Sequence, residues 1–290
     1  MSHILVVGNA TLDIINVVES YPHEDDEVRA HDQLIRRGGN AANTAVVLSQ
    51  LGHQCDWAGT LAEEPNGDLI RQDLLGNGIG LDAHHSEKRG KVPTSYVTLS
   101  RSNGSRTIVH YRDLPEYQAH RFAEIDLDPI EWVHFEGRNL AEVKPMLERV
   151  RREQINLSVS LEVEKARPGI EELFPLADVV MFSRDYAQRM HSHEAEAFLH
   201  HIRQRGVEAI LTCTWGEHGA YALDVDGTLF HTPAFEPPLV VDTLGAGDVF
   251  NAGLIDQLER GHKLEIALIE ASRLAGRKCG VYGVDNLVKN

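Results

Sequence analysis

The chain reads as an α/β protein: a doubly wound, mostly parallel sheet flanked by helices, with a small β-sheet lid. Three features predict this. Short apolar strands alternate with helical segments from Trp132 onward, the pattern of parallel βαβ units. Two β-rich stretches interrupt the first half of the chain. Two runs of small residues, at 38–43 and 245–248, lead straight into helices.

In chain order, residues 4–13 read as a short buried strand that delivers Asp13. Residues 14–18 and 28–31 follow as β segments on either side of a turn at Pro22. A helix runs from Asn40 to about Leu51. Residues 92–99 and 106–111 flank Ser102-Asn103-Gly104 as a hairpin, with Gly104 supplying positive φ. The alternation then becomes regular: strand 133–135, helix 141–154, then strands 157–164, 178–182 and 209–213. Helices starting near Asp248 and Lys263 complete the chain. Two β-rich insertions cannot bury both faces alone, so they are expected to form a lid, from about 13–36 and 91–112. The whole of 1–290 is read as one domain.

Bulk properties bound the function. Hydrophobic content is 42% and charged content 25%, ordinary for a globular protein. The net charge of −16 argues against nucleic acid or an anionic membrane as partner. It leaves a nucleotide substrate open, because local N–H groups and a few cations act at short range. Cys55, Cys213 and Cys279 are widely spaced, without disulfide or metal spacing, and point to a reducing cytoplasm. No signal-peptide pattern and no run approaching the roughly 18–20 apolar residues of a membrane helix is visible. The 16 histidines are scattered and show no convergent ligand spacing.

The chemistry concentrates in two places. In the segment 242–253, Gly245, Ala246 and Gly247 run into a helix whose N-terminal N–H groups can close around an anion. Asp248 stands where that helix begins. A carboxylate would repel a phosphate, so its presence makes sense as the acceptor of a proton from an attacking hydroxyl. Far upstream, Gly38-Gly39-Asn40-Ala41-Ala42-Asn43 places two amides three residues apart on one helix face. A turn with an N-cap accounts for Asn40 and leaves Asn43 without a role. Paired amides suit the vicinal hydroxyls of a sugar, and Asp13 adds a third polar position. Asp13, Arg138, Glu164, Lys165 and Gly216 all follow apolar runs, so they are expected at the carboxyl edge of the sheet, where open α/β sheets bind ligands.

These segments resemble the ribokinase-like (PfkB-type) carbohydrate kinases, whose early Gly-Gly-Asn-x-x-Asn and late Asp-Thr-x-Gly-Ala-Gly-Asp signatures are both present. Within that family the resemblance narrows to the ketohexokinases, on residues 21–25, 104–108, 136–139, 162–165 and 278–280. It implies ATP-dependent phosphorylation of a free sugar such as fructose at its C1 hydroxyl, with Asp248 as general base. It further implies that Asp13, Gly39, Asn40 and Asn43 hold sugar hydroxyls and that Arg106 on the lid approaches the phosphates. Arg138 and Lys165 are substrate-site candidates that could serve as the cations a sugar-phosphate kinase needs at the substrate's distal end. Gly216-Glu217-His218-Gly219 resembles a nucleotide loop, and Asn251 with 279–280 would line the adenine or ribose pocket. By resemblance the lid clasps a second subunit, and Asp25 reaches the partner's sugar site. Magnesium is implied, although Ser183-Arg184-Asp185-Tyr186 departs from the family's Asn-x-x-Glu metal motif; Glu164 is a candidate outer carboxylate. Potassium held by loop carbonyls is implied too. Ribose, nucleoside and sugar-phosphate kinases stay open, as does a non-catalytic sugar sensor, which loss of Asp248 or the glycines would have favoured.

Overall fold

The structure is a computed structural model and describes residues 1–102, 105–154 and 156–288. The first half contains β1 (His3–Val7), β2 (Thr11–Val18), β3 (Asp32–Gly38), α1 (Asn40–Gln50), β4 (Gln54–Ala58), β5 (Thr60–Ala62), α2 (Pro65–Gly76), β6 (Ile79–Gly80), β7 (His85–Glu87), β8 (Thr94–Ser100), β9 (Arg106–Tyr111) and α3 (Ala119–Phe122). The second half contains β10 (Trp132–Glu136), α4 (Leu140–Glu153), β11 (Ser158–Val163), β12 (Val179–Ser183), α5 (Arg184–Arg189), α6 (Ala195–Gln204), β13 (Ile210–Thr214), β14 (Ala220–Leu223), β15 (Leu229–Thr232), α7 (Ala246–Glu259) and α8 (Leu264–Cys279).

The main sheet has nine strands in the order β15-β14-β13-β12-β11-β10-β1-β4-β6. It is parallel from β6 through β13, and β14 and β15 add an antiparallel edge. Its central strands are buried on both faces, so they read as continuous apolar runs. One face packs on α1, α7 and α8 through residues such as Val46, Val249 and Leu268. The other packs on α4 and α6 through Leu147, Phe198 and Phe182. Helices on both faces of a parallel sheet are the doubly wound arrangement.

The lid is a separate four-stranded sheet, β3-β2-β8-β9. Here the structure corrects two expectations. The run 4–13 is not one strand. It breaks after Val7, where a Cβ on Gly8 would meet the Glu136 Cβ at 2.7 Å, and the chain leaves the main sheet there. Asp13 therefore sits on lid strand β2, not at the carboxyl edge of β1. The second lid strand is Asp32–Gly38 rather than 28–31; Val28 is exposed. Register with β2, from Thr11 opposite Gly38 to Val17 opposite Asp32, selects a segment whose own polar alternation is weak. The β8–β9 hairpin forms with Thr94 opposite Tyr111 and Leu99 opposite Arg106; Gly104 lies outside the described residues.

Gly219 follows β13 at φ 86°, and a Cβ there would lie 2.0 Å from the Thr232 carbonyl oxygen. Close passage of β15 is what requires glycine at this position. Gly219→Ala is expected to lower unfolding stability by about 2 kcal/mol or more, read from urea denaturation.

Candidate active site

Crossing from the main sheet to the lid leaves a cavity of about 480 Å³ between them. Its floor is the carboxyl edge of the parallel strands: Asn9, Glu136, Glu162, Glu164, Ser183 and Thr214. Its roof is the inner face of the lid, with Asp13, Ser95, Arg106, Ile108 and His110. One side is closed by Gly39, Asn40 and Asn43 at the start of α1, the other by residues 243–248 at the start of α7. The two small-residue segments thus face one cavity.

Gly245 caps α7 at φ 81°, in the left-handed region that glycine tolerates. The first intrahelical bond runs from Val249 N–H to the Gly245 carbonyl at 3.0 Å. The N–H groups of Gly245, Ala246, Gly247 and Asp248 precede it and have no acceptor within the helix; that of Ala246 donates to the Thr243 carbonyl at 3.3 Å. Gly245 and Gly247 line the cavity, and the helix dipole adds to the attraction for an anion. Arg106 reaches across from the lid and donates to Thr243 Oγ1 at 2.6 Å.

Asp248 is buried. Asn43 Nδ2 donates to Asp248 Oδ2 at 2.7 Å, and Arg37 donates to Asn43 Oδ1. Arg37 is itself buried and ion-paired to Asp73 and Asp285. Burial pushes the Asp248 carboxyl up to about 7, and the charges of Glu164, Glu136 and Asp13 push the same way against the Asn43 hydrogen bond. A stronger base results than a free aspartate offers. Asn43 is thereby corrected in emphasis: its oxygen and one N–H are engaged in fixing Asp248.

The floor is acidic. Burial raises the Glu162 carboxyl well above its usual range, helped by Asp248, Glu136 and Glu164. Asn40 donates to Glu162 Oε1 at 3.1 Å, while Glu162 Oε2 is buried without a hydrogen-bond partner among the described residues. Glu136 accepts the Asn9 N–H at 2.8 Å, and burial raises its carboxyl despite Arg138. Arg138 is committed to Glu116 and Glu136. Lys165 and Glu164 line the cavity near each other, at 3.9 Å.

The anion loop is tethered from behind. Lys278 is fully buried and donates to the Asp242 carbonyl at 2.7 Å, with Asp242 Oδ2 at 2.8 Å. Burial alone would push the Asp242 carboxyl up; Lys278 and the N–H groups of Gly283 and Leu244 outweigh it and hold the group low.

Comparison with known proteins decides the family. The chain matches the pfkB family carbohydrate kinase description over residues 1–290. The chain belongs to that family. It is 41% identical to ketohexokinase of Mus musculus, covering 98% of each chain. Among solved structures, Cryptococcus neoformans ribokinase in complex with ADP superposes with TM-score 0.81 at 18% identity, covering 99% of this chain and 97% of that one. Arabidopsis thaliana ribokinase complexed with ribose and ATP gives TM-score 0.78 at 22% identity, covering 100% of both. The ribokinase-like fold is therefore shared, and as a pfkB family member the chain is an ATP-dependent carbohydrate kinase.

Not every expected residue joins the cavity. Asn251 lines it and is buried. Gly216, Glu217, His218 and Gly219 follow β13 at the same sheet edge but do not line the cavity, which Thr214 borders instead. Cys279 and Gly280 also lie outside its lining; the Cys279 carbonyl accepts from the loop N–H groups of Val241 and Asp242, while Gly280 N–H donates to the Arg277 carbonyl. Asp25 is exposed at φ 66° in the loop between β2 and β3, away from its own chain's cavity. In the departed metal motif, Ser183 caps α5, Asp185 pairs with Arg189, and Tyr186 is buried among Phe174, Phe182 and Phe198. The motif's acid position is thus part of the core. Glu136, Glu162, Arg37 and Lys278 were missed. An acid inside a strand buried on both faces, as in the apolar runs ending at Glu136 and Glu162, was the available signal.

A carboxyl whose folded pKa is raised binds its proton more tightly when folded. Its support for the fold is present at acid pH and is lost as pH rises from about 4 to about 7. Asp248→Asn keeps the volume and removes the buried charge. Thermal melts across pH should place the variant several degrees above wild type at pH 8, with the gap closing toward pH 4.

Proposed function

We propose that the chain transfers the γ-phosphoryl group of ATP to the C1 hydroxyl of a ketohexose such as fructose. The observation that carries the reading is a buried carboxylate with a raised pKa, Asp248, set between a polyol-like wall and an anion-binding helix start. The 41% identity to a ketohexokinase over 98% of both chains supports the substrate class.

The sugar lies under the lid, with Asp13, Gly39, Asn40 and the free N–H of Asn43 about its hydroxyls. Asp248 accepts the proton of the attacking hydroxyl as the bond to phosphorus forms. The N–H groups of Gly245, Ala246 and Gly247 take up charge on the transferred group, and Arg106 draws the lid onto the phosphates. The adenosine end of ATP runs along the carboxyl edge past Ser183, Thr214 and Asn251, and the Gly216–Gly219 turn borders that path.

Magnesium fits this floor. No group of three potential ligands converges among the described residues, as suits an ion that keeps its waters and takes only one or two carboxylates besides phosphate. Glu162, with its orphaned buried oxygen, and Glu164 would hold it through those waters, and it would neutralise polyphosphate charge. Potassium fits less well: the carbonyls of Asp242 and Val281 beside the anion loop already face the Lys278 ammonium, at 2.7 and 3.4 Å.

Arg138 is neutralised by two glutamates, which favours a free sugar over a sugar phosphate. Asp13, Asn40 and Asn43 on the sugar side of the cavity suit a polyol better than a nucleoside base. The retained base and glycines favour an enzyme over a sensor.

The lid also supports a homodimer. Ile35, Ile14, Tyr96 and Val109 form one cross-strand row, and Ile35, Tyr96 and Val109 are 54%, 49% and 66% exposed. A second copy covers this row, and Asp25 is assigned to that copy's sugar site. Light scattering should find a dimer, and Val109→Glu should shift it to monomer.

A coupled assay over ketoses, aldoses, nucleosides and sugar phosphates tests the substrate reading, which fails if ketohexoses are poor substrates. Below pH about 7, kcat/KM should fall roughly tenfold per unit as Asp248 takes up its proton. Asp248→Asn should lower turnover by about two orders of magnitude or more while nucleotide affinity stays near wild type; near-normal turnover would remove Asp248 from the chemistry.

A further inference from the structure

Strand β9 sends alternate side chains to opposite faces of the lid. Arg106, Ile108 and His110 line the cavity, while Val109 and Tyr111 are exposed on the outer face. The resemblance that singled out this hairpin ends at Ile108. His110, two residues on, has no role in the chemistry described above.

The strand register gives it surroundings of its own. His110 lies opposite Ser95, Ser95 pairs with Asp13, and Asp13 lies opposite Arg36. A single polar row therefore crosses all four lid strands on the face toward the cavity. Ser95 Oγ and His110 Nδ1 are 3.3 Å apart. Asp13 accepts from Thr11 Oγ1 at 3.0 Å and is also hydrogen-bonded to Ser95. The other imidazole nitrogen, Nε2, has no hydrogen-bond partner among the described residues. Partial desolvation in the cavity lowers the pKa of His110, although the residue is exposed, and Arg138, Arg112 and Lys165 lower it further against the pull of Asp13. The ring is neutral at neutral pH, with one donor and one acceptor nitrogen.

Position along the strand separates this group from the phosphates. Arg106 touches Thr243 of the anion loop, and four residues of strand place His110 about 13 Å farther on. Resting on the sugar-kinase reading, we propose that His110 reads a hydroxyl of the sugar at the end of the cavity remote from the anion loop. Ser95 orients the ring, and Asp13 and His110 bracket adjacent hydroxyls. The residue sets which polyols the lid accepts, and it takes no part in the phosphoryl transfer itself.

The test compares wild type with His110→Ala and His110→Gln, measuring KM for the sugar and for ATP separately, on fructose and on its singly deoxygenated analogues. The ring is exposed, so melting temperatures should stay at the wild-type value. His110→Ala should raise the sugar KM about tenfold, the scale of one lost hydrogen bond, with ATP KM and kcat within about twofold. His110→Gln, which keeps a donor and an acceptor, should recover most of the loss. One deoxy analogue, lacking the hydroxyl that is read, should show no difference between wild type and His110→Ala. The proposal is overturned if the sugar KM does not move, if ATP KM rises equally, if every deoxy analogue keeps the full penalty, or if the penalty appears only with phosphorylated sugars. Should wild type prefer another sugar, the substrate reading fails by itself. The same comparison on the preferred sugar then decides the role of His110.

Discussion

A carboxylate kept out of water is the constraint around which this molecule is arranged. Asp248 cannot be buried without a donor, and Asn43 supplies one from a different helix. Asn43 in turn is fixed by Arg37, whose own charge is met by Asp73 and Asp285. The chain of contacts joins β3, α1, α2, α7 and the C-terminal segment at one point. Each link is a charged or polar group that would be destabilising alone, so the links hold only as a set. The raised pKa of Asp248 follows from that burial and from the acidic floor beside it.

Two sheets with different duties meet at that carboxylate. The parallel sheet supplies a rigid edge where strand ends fan out, and its carboxyl termini present Glu136, Glu162 and Ser183 toward the ligand space. The lid is a separate sheet reached by the chain breaks at Gly8 and Gly38-Gly39. Gly39 passes so close to Asn9 that a Cβ would lie 2.6 Å from its carbonyl oxygen. The glycines of the early motif thus serve the crossing between sheets as much as any ligand. Likewise Gly219, expected in a nucleotide loop, answers to the carbonyl of Thr232.

Much of this was legible in the sequence because it was local. Apolar runs such as those at 133–135 and 209–213 could only be buried strands, and the small residues before Asp248 could only open a helix tightly. What was hidden depended on pairing. The strand Asp32–Gly38 has charged residues at both ends and gains its conformation from β2. Asp13 was legible as a site residue, but its place on the lid depended on a break that only the proximity of Glu136 dictates. The role of Arg37 was invisible because its partners lie 36 and 248 positions away. The place of Lys278 was hidden too, because nothing local says that a lysine will be wholly enclosed.

The alternation of β9 has an evolutionary corollary. Its inward side chains line the cavity and its outward ones face away from it, so each class is defined only by parity along the strand. Insertion or deletion of one residue between Arg106 and Tyr111 would turn the strand inside out, exchanging Ile108 and His110 for Val109 and Tyr111. Drift in substrate preference through this strand is therefore confined to point substitution. Length variation is tolerable only beyond its ends, where parity is reset.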